Sequence, residues 1–135
     1  MQVKQISKNQ IKDFISFAKT GKIDKLQKAI NIGIDILAED AKAFILSARY
    51  GQVKSLEILL GSFDSIEKRN IIRHCFLEAC NNNQREMVDY LLDNHFSDLD
   101  SEGMEEIALK SCIIGNHTDI LLYLCAKYQF NLNLN

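Results

Sequence analysis

An all-α helical-repeat solenoid of about four helix-turn-helix units is the fold this 135-residue sequence predicts, and three observations predict it. Segments aligned on Gly21, Gly51, Asn83 and Gly115 superimpose at spacings of 30, 32 and 32 residues. Seven residues earlier stand Phe14, Phe44, Phe76 and Ala108, and three earlier Ala18, Ala48, Cys80 and Cys112. Five residues later come Leu26, Leu56, Val88 and Ile120, and nine later Ile30, Leu60, Leu92 and Leu124. The apolar positions on both sides of each turn recur at helical spacing. The turn residue is Gly three times and Asn once, the residues least strained where a helix ends in a left-handed conformation. A period of this length marks stacked supersecondary units, none of which buries its apolar face alone.

The first unit (9–35) reads as a helix carrying Ile11, Phe14, Ile15 and Ala18, a turn at Gly21, and a second helix carrying Ile23, Leu26 and Ile30. Phe17 takes a slot filled by Ser47, Ala79 and Ser111 in the other units, a bulk tolerated at the start of an array with no unit packed in front. The second unit (40–64) repeats the pattern through Ala41, Phe44, Ile45 and Ala48, then Val53, Leu56, Leu59 and Leu60. In the third (66–97), Ile72, Phe76, Ala79 and Cys80 precede Met87, Val88, Leu91 and Leu92. Asp64 followed by Glu67 reads there as a capping-box-like start to a long first helix. The fourth (101–130) carries Met104, Ile107, Ala108 and Cys112, then Ile120, Leu121 and Leu124. Polar connections run from Gly33 to Asp40, Gly61 to Arg69 and Asn94 to Ser101; without proline they read as short loops or helix extensions. Tyr128 to Asn135 looks like the start of another connection, so either the array stops there or the chain is the front of a longer protein.

Charge narrows the function. A net charge of -2 argues against a generally basic nucleic-acid binder. Residues 1–60 carry ten Lys/Arg and six Asp/Glu, whereas residues 61–135 carry six and twelve. That gradient is either surface variation or a polarised binding face capable of head-to-tail self-association. No run of about 18 apolar residues and no secretory apolar region occurs, so neither a membrane span nor export is expected. A cytoplasmic location follows, with Cys80, Cys112 and Cys125 as reduced core fillers. Abundant Ile, Asn and Lys suggests AT-rich coding; in a parasite or virus, the location would be the host cytoplasm.

The pattern resembles the ankyrin repeat, whose core string is Leu-His-x-Ala-Ala-x-x-Gly-His-x-Glu-Val-Val-x-Leu-Leu-Leu. Phe76, Ala79, Cys80, Asn83, Glu86, Met87, Val88, Leu91 and Leu92 fall in register with it, as do Ser47, Ala48, Gly51, Leu56, Leu59 and Leu60. Gly33, Ile34 and Asp35 match the trailing Gly-x-Asp. The Thr-Pro that opens the family's first helix is replaced by Lys12-Asp13, Lys42-Ala43, His74-Cys75 and Glu106-Ile107, so these are divergent repeats. The resemblance implies a non-catalytic module or scaffold that grips a partner protein on a concave face, with no cofactor. It places at that face the residues just before each turn: Lys19 and Thr20, Arg49 and Tyr50, Asn81 and Asn82, Ile113 and Ile114. The alternative is an N-terminal regulatory or targeting domain of a longer enzyme or effector protein.

No other constellation competes. His74, Cys75 and Cys80 lack the second ligand pair of a zinc pattern, and neighbouring helical residues point about 100° apart, which no Cys/His nucleophile pair can use. His95 and His117 are isolated. Asp98, Asp100, Glu102, Glu105 and Glu106 lack the calcium-loop spacing and read as a solvated acidic connection. There is no glycine-rich phosphate loop. Ile113 and Ile114 stand out beside Leu109, because Lys, Arg, Thr, Tyr and Asn fill the matching places in earlier units. They call for a cover: the segment Phe130 to Leu134, a further repeat, a partner or a second copy.

Overall fold

The computed structural model describes residues 5–99 and 103–128, and these are helix and turn, with no strand among them. Eight helices follow in order: α1 (Lys8–Thr20), α2 (Ile23–Asn31), α3 (Ala38–Arg49), α4 (Val53–Gly61), α5 (Lys68–Asn81), α6 (Arg85–Leu99), α7 (Met104–Ile114) and α8 (Thr118–Tyr128). The chain is therefore all-α. Odd-numbered helices form one layer, α1 against α3, α3 against α5 and α5 against α7. The even-numbered helices pack behind them, each against its own predecessor, with α2 on α4 and α4 on α6.

One turn geometry closes all four pairs. Its left-handed residue is Gly21 (φ 73°), Gly51 (φ 69°), Asn83 (φ 57°) and Asn116 (φ 55°). In each, the next backbone N–H bonds back five residues: Lys22 to Phe17, Gln52 to Ser47, Gln84 to Ala79 and His117 to Cys112, at 2.8–2.9 Å. That bond satisfies a helix-end carbonyl that would otherwise be orphaned. The fourth turn corrects the expected alignment, because Gly115 is right-handed (φ -78°) and Asn116 takes the left-handed place.

Counted from the left-handed residue, burial obeys a strict rule. Positions eight and four before and four and eight after are buried in the last three units: Ala43, Ser47, Ser55 and Leu59; Cys75, Ala79, Met87 and Leu91; Ala108, Cys112, Ile120 and Leu124. In the first unit they are Asp13, Phe17, Lys25 and Ala29, none of them buried. Positions seven and three before and five after behave conversely, buried in the first three units as Phe14, Ala18, Leu26; Phe44, Ala48, Leu56; and Phe76, Cys80, Val88. In the fourth they are Leu109, Ile113 and Leu121, none fully buried. The first set thus faces the preceding unit and the second the following one. Two bonds agree: Ser47 Oγ reaches the Ala18 carbonyl at 3.4 Å, and Cys75 Sγ–H the Phe44 carbonyl at 3.6 Å.

Other expectations change at the helix ends. Asp64 and Glu67 form no capping box: α5 starts at Lys68, which leaves Glu67 at the N-cap rather than inside the first turn, and Ser65 Oγ accepts from the Glu67 N–H instead (3.2 Å). A capping box does open α1, where Ser7 Oγ accepts from Gln10 N–H (3.2 Å) and Gln10 Oε1 from Ser7 N–H (2.8 Å). The expected connection from Asn94 is largely helix: α6 breaks at His95 (φ -133°) but continues to Leu99. Burial of Leu99 and the bond from Arg73 Nε to the Asp98 carbonyl (2.9 Å) hold that extension.

At the start of α3, Glu39, Asp40 and Ala41 all have left-handed backbone, with φ of 54°, 58° and 61°. Such a conformation costs about 1–2 kcal/mol per L-residue. Glu39 is exposed, so Glu39→Gly removes strain without removing packing. It should stabilise by about 1 kcal/mol in urea denaturation, whereas Gly in an ordinary helix interior costs about 0.5–1 kcal/mol. A destabilised variant would show that the turn is right-handed.

Candidate interaction surface

Residues nine, five and two before the turn lie on one stripe of each odd-numbered helix, turned away from the even-numbered layer. The stripe is Lys12, Ser16 and Lys19 on α1, Lys42, Leu46 and Arg49 on α3, and His74, Glu78 and Asn81 on α5. Successive stripes touch. Lys19 Nζ lies 4.9 Å from the Tyr50 ring centre, a cation–π contact from the first unit to the second. Arg49 Nε pairs with Glu78 Oε1 at 2.6 Å, from the second to the third. Asn82 Nδ2 donates to the Glu78 carbonyl (2.8 Å) and to its carboxylate (3.3 Å). Lys19 thereby meets Tyr50, and the neighbouring Arg49 is joined to Asn82 through Glu78, which sequence reasoning missed.

A second row of contacts sets the spacing of that strip. Gln84 Nε2 donates to the Arg49 carbonyl (2.8 Å), and the His117 ring N–H donates to the Asn81 carbonyl (2.7 Å). The Gln52 side-chain amide fills the space a Cβ at Gly21 would need, and that of Gln84 does so at Gly51. Gly at these turns therefore serves two ends, the left-handed backbone and the close approach of the next unit's amide. A trace was visible in the sequence: an amide or imidazole follows the left-handed residue in three units, as Gln52, Gln84 and His117.

The remaining site residues divide. Thr20 turns its hydroxyl back onto the Ser16 carbonyl (2.7 Å), and the Asn81 side chain is exposed. Ile114 is 82% exposed and stands two before the turn, where Lys19, Arg49 and Asn81 stand in the other units. Ile113, 59% exposed, is displaced by the shift to Asn116. It falls in the slot of Ala18, Ala48 and Cys80, on the end face of the fourth unit, rather than in the expected slot of Lys19, Arg49 and Asn81. The segment Phe130 to Leu134, one of the expected covers for the pair, lies outside the described residues.

Cys75, Cys80 and Cys112 are buried, whereas Cys125, expected as a core filler, is only half-buried on α8, which has no further helix among the described residues to cover it. Cys75 is buried under α3 while His74 beside it is exposed; burial and then the Glu78 charge push the Cys75 pKa up, keeping it a thiol. Cys80 meets Cys112 between α5 and α7, and that contact, with burial, raises the Cys80 pKa too. No three His, Cys, Asp or Glu residues converge as metal ligands among the described residues, and no described helix is long and apolar enough to cross a membrane. No protein-family model matches this chain, and neither a curated protein nor a solved structure matches it.

Proposed function

We propose that the chain is a solenoid of four divergent ankyrin-like repeats that binds a partner protein through the concave face of the odd-numbered helices, without catalysis of its own. The observation that carries this reading is the continuity of the strip. Side chains from three successive units meet through Lys19–Tyr50 and Arg49–Glu78, giving a surface longer than any one unit. The inter-unit burial pattern supports stacked repeats, since the last three units bury one face against the preceding unit and the first three bury another against the following one. The turn register adds to the resemblance: with Asn116 as the turn residue, His117 takes the place of the His in the family's Gly-His.

Arg and Tyr suit such a face because each joins contact area to hydrogen bonding. Affinity capture with the intact chain identifies the partner, and the double variant Arg49→Glu, Tyr50→Ala tests the face. The variant should bind that partner at least about tenfold more weakly, a loss of about 1.4 kcal/mol, with helix content retained. Equal affinity for variant and wild type would remove the strip from the interface.

A further inference from the structure

We propose that the first two units of this face hold an acidic, extended segment of the partner protein, with an apolar side chain seated between α1 and α3; the inference rests on the partner-binding reading above. A cavity of about 590 Å³ opens between those helices, lined by Lys8, Asn9, Ile11, Lys12, Ile15, Glu39 and Lys42. Ile15 is buried and Ile11 half-buried, so the cavity has an apolar floor. Its rim carries three lysines against one carboxylate, Glu39, and so is net cationic. Among the described residues, Lys8, Lys12 and Lys42 have no carboxylate within 4.0 Å, as is true of most lysines here; what sets these three apart is their convergence on one apolar-floored cavity. Lys12 and Lys42 occupy the same stripe position in successive units and continue it towards Lys19 and Arg49.

Local stability does not account for this placement. Lys8 opens α1, whose first turn holds no acidic residue, so the cation sits at the positive end of the helix dipole. An arriving carboxylate relieves both that unfavourable term and the mutual repulsion of the three ammonium groups. The lysines supply adaptable point charges rather than planar forks, which suits carboxylates spread along an extended chain. Nucleic acid fits less well: the floor is aliphatic, with no aromatic lining the cavity on which a base would stack. The overall charge of -2 also opposes a polyanion on the rest of the surface.

The test is fluorescence anisotropy with a labelled peptide alternating Asp/Glu with Leu. A peptide with Asn/Gln in place of Asp/Glu and a single-stranded oligonucleotide serve as rival probes. The acidic peptide should bind best, and its affinity should fall at least about tenfold between about 0.05 and about 0.5 M salt. Lys12→Glu with Lys42→Glu should weaken it at least about tenfold at unchanged melting temperature, and Lys54→Glu on α4 should change it little. Equal binding of the Asn/Gln peptide, tighter binding of the oligonucleotide, or an equal loss in Lys54→Glu would overturn the proposal. So would self-association abolished by Lys12→Glu, which would make the occupant a second copy. If the captured partner depends on Arg49 and Tyr50 but ignores the lysine reversals, the acidic-segment inference fails alone. If it ignores both, the partner face itself is wrong.

Discussion

Replacing Phe44 by Ala is expected to destabilise the protein by about 3–5 kcal/mol, the usual result of emptying a fully buried aromatic site. Phe44 has no exposed surface and meets the Phe63 ring edge-on at 5.4 Å, so one side chain joins α3 to the connection that follows α4. Its position seven before the turn faces the third unit, whose Cys75 also bonds to the Phe44 carbonyl. The cavity would open where α3 packs on α5, and the loss grows with the volume that the surrounding side chains fail to fill. Urea denaturation followed by circular dichroism measures it; a loss below about 1 kcal/mol would show that the residue does not bridge the units.

Gly51→Val should cost about 2–4 kcal/mol, from about 1–3 kcal/mol for a β-branched residue held left-handed and about 1 kcal/mol for a displaced hydrogen bond. Two controls separate these causes. Gly33 also has positive φ (91°) but no neighbouring atom within 4 Å of where a Cβ would stand, so Gly33→Val should show the backbone cost alone. Asn83→Gly should be neutral or mildly stabilising, because the turn there is left-handed at φ 57° and Gly adopts it without strain. Equal melting temperatures for wild type and Gly51→Val would refute the turn geometry and the Gln84 contact together.

Three of the four turns were legible because Gly and Asn carry their conformational preference locally. The fourth was not. Gly115 invites a left-handed reading, yet choosing it puts Ala108 in the slot of Phe14, Phe44 and Phe76. Moving the turn to Asn116 restores a large residue, Leu109, to that slot and turns Ala108 and Cys112 towards the third unit. The small residue in a large slot was the warning, and the packing of α7 on α5 outweighed the preference of one glycine. Lys19, Arg49, Tyr50 and Asn82 were reachable from the sequence because they stand at fixed offsets from turns located correctly. Ile113 was misassigned for the complementary reason.

Helix content, the number of helices, their pairing and the buried positions of the first three units were determined by the sequence alone, since each follows from short-range periodicity and from backbone preferences that act within a few residues. In the fourth unit, packing moved the turn and left Ile107, expected on the apolar face, exposed. The joining of Arg49 to Glu78, the reach of Gln84 and His117 into the preceding turn, and the cavity between Lys12 and Lys42 were decided only by the tertiary structure. Those groups lie about thirty residues apart in the chain, and nothing in their local sequence fixes how closely neighbouring units approach. That distance is set by the small residues between neighbouring odd-numbered helices, Ala18 against Ser47 and Cys80 against Cys112, whose mutual fit exists only once the helices have packed.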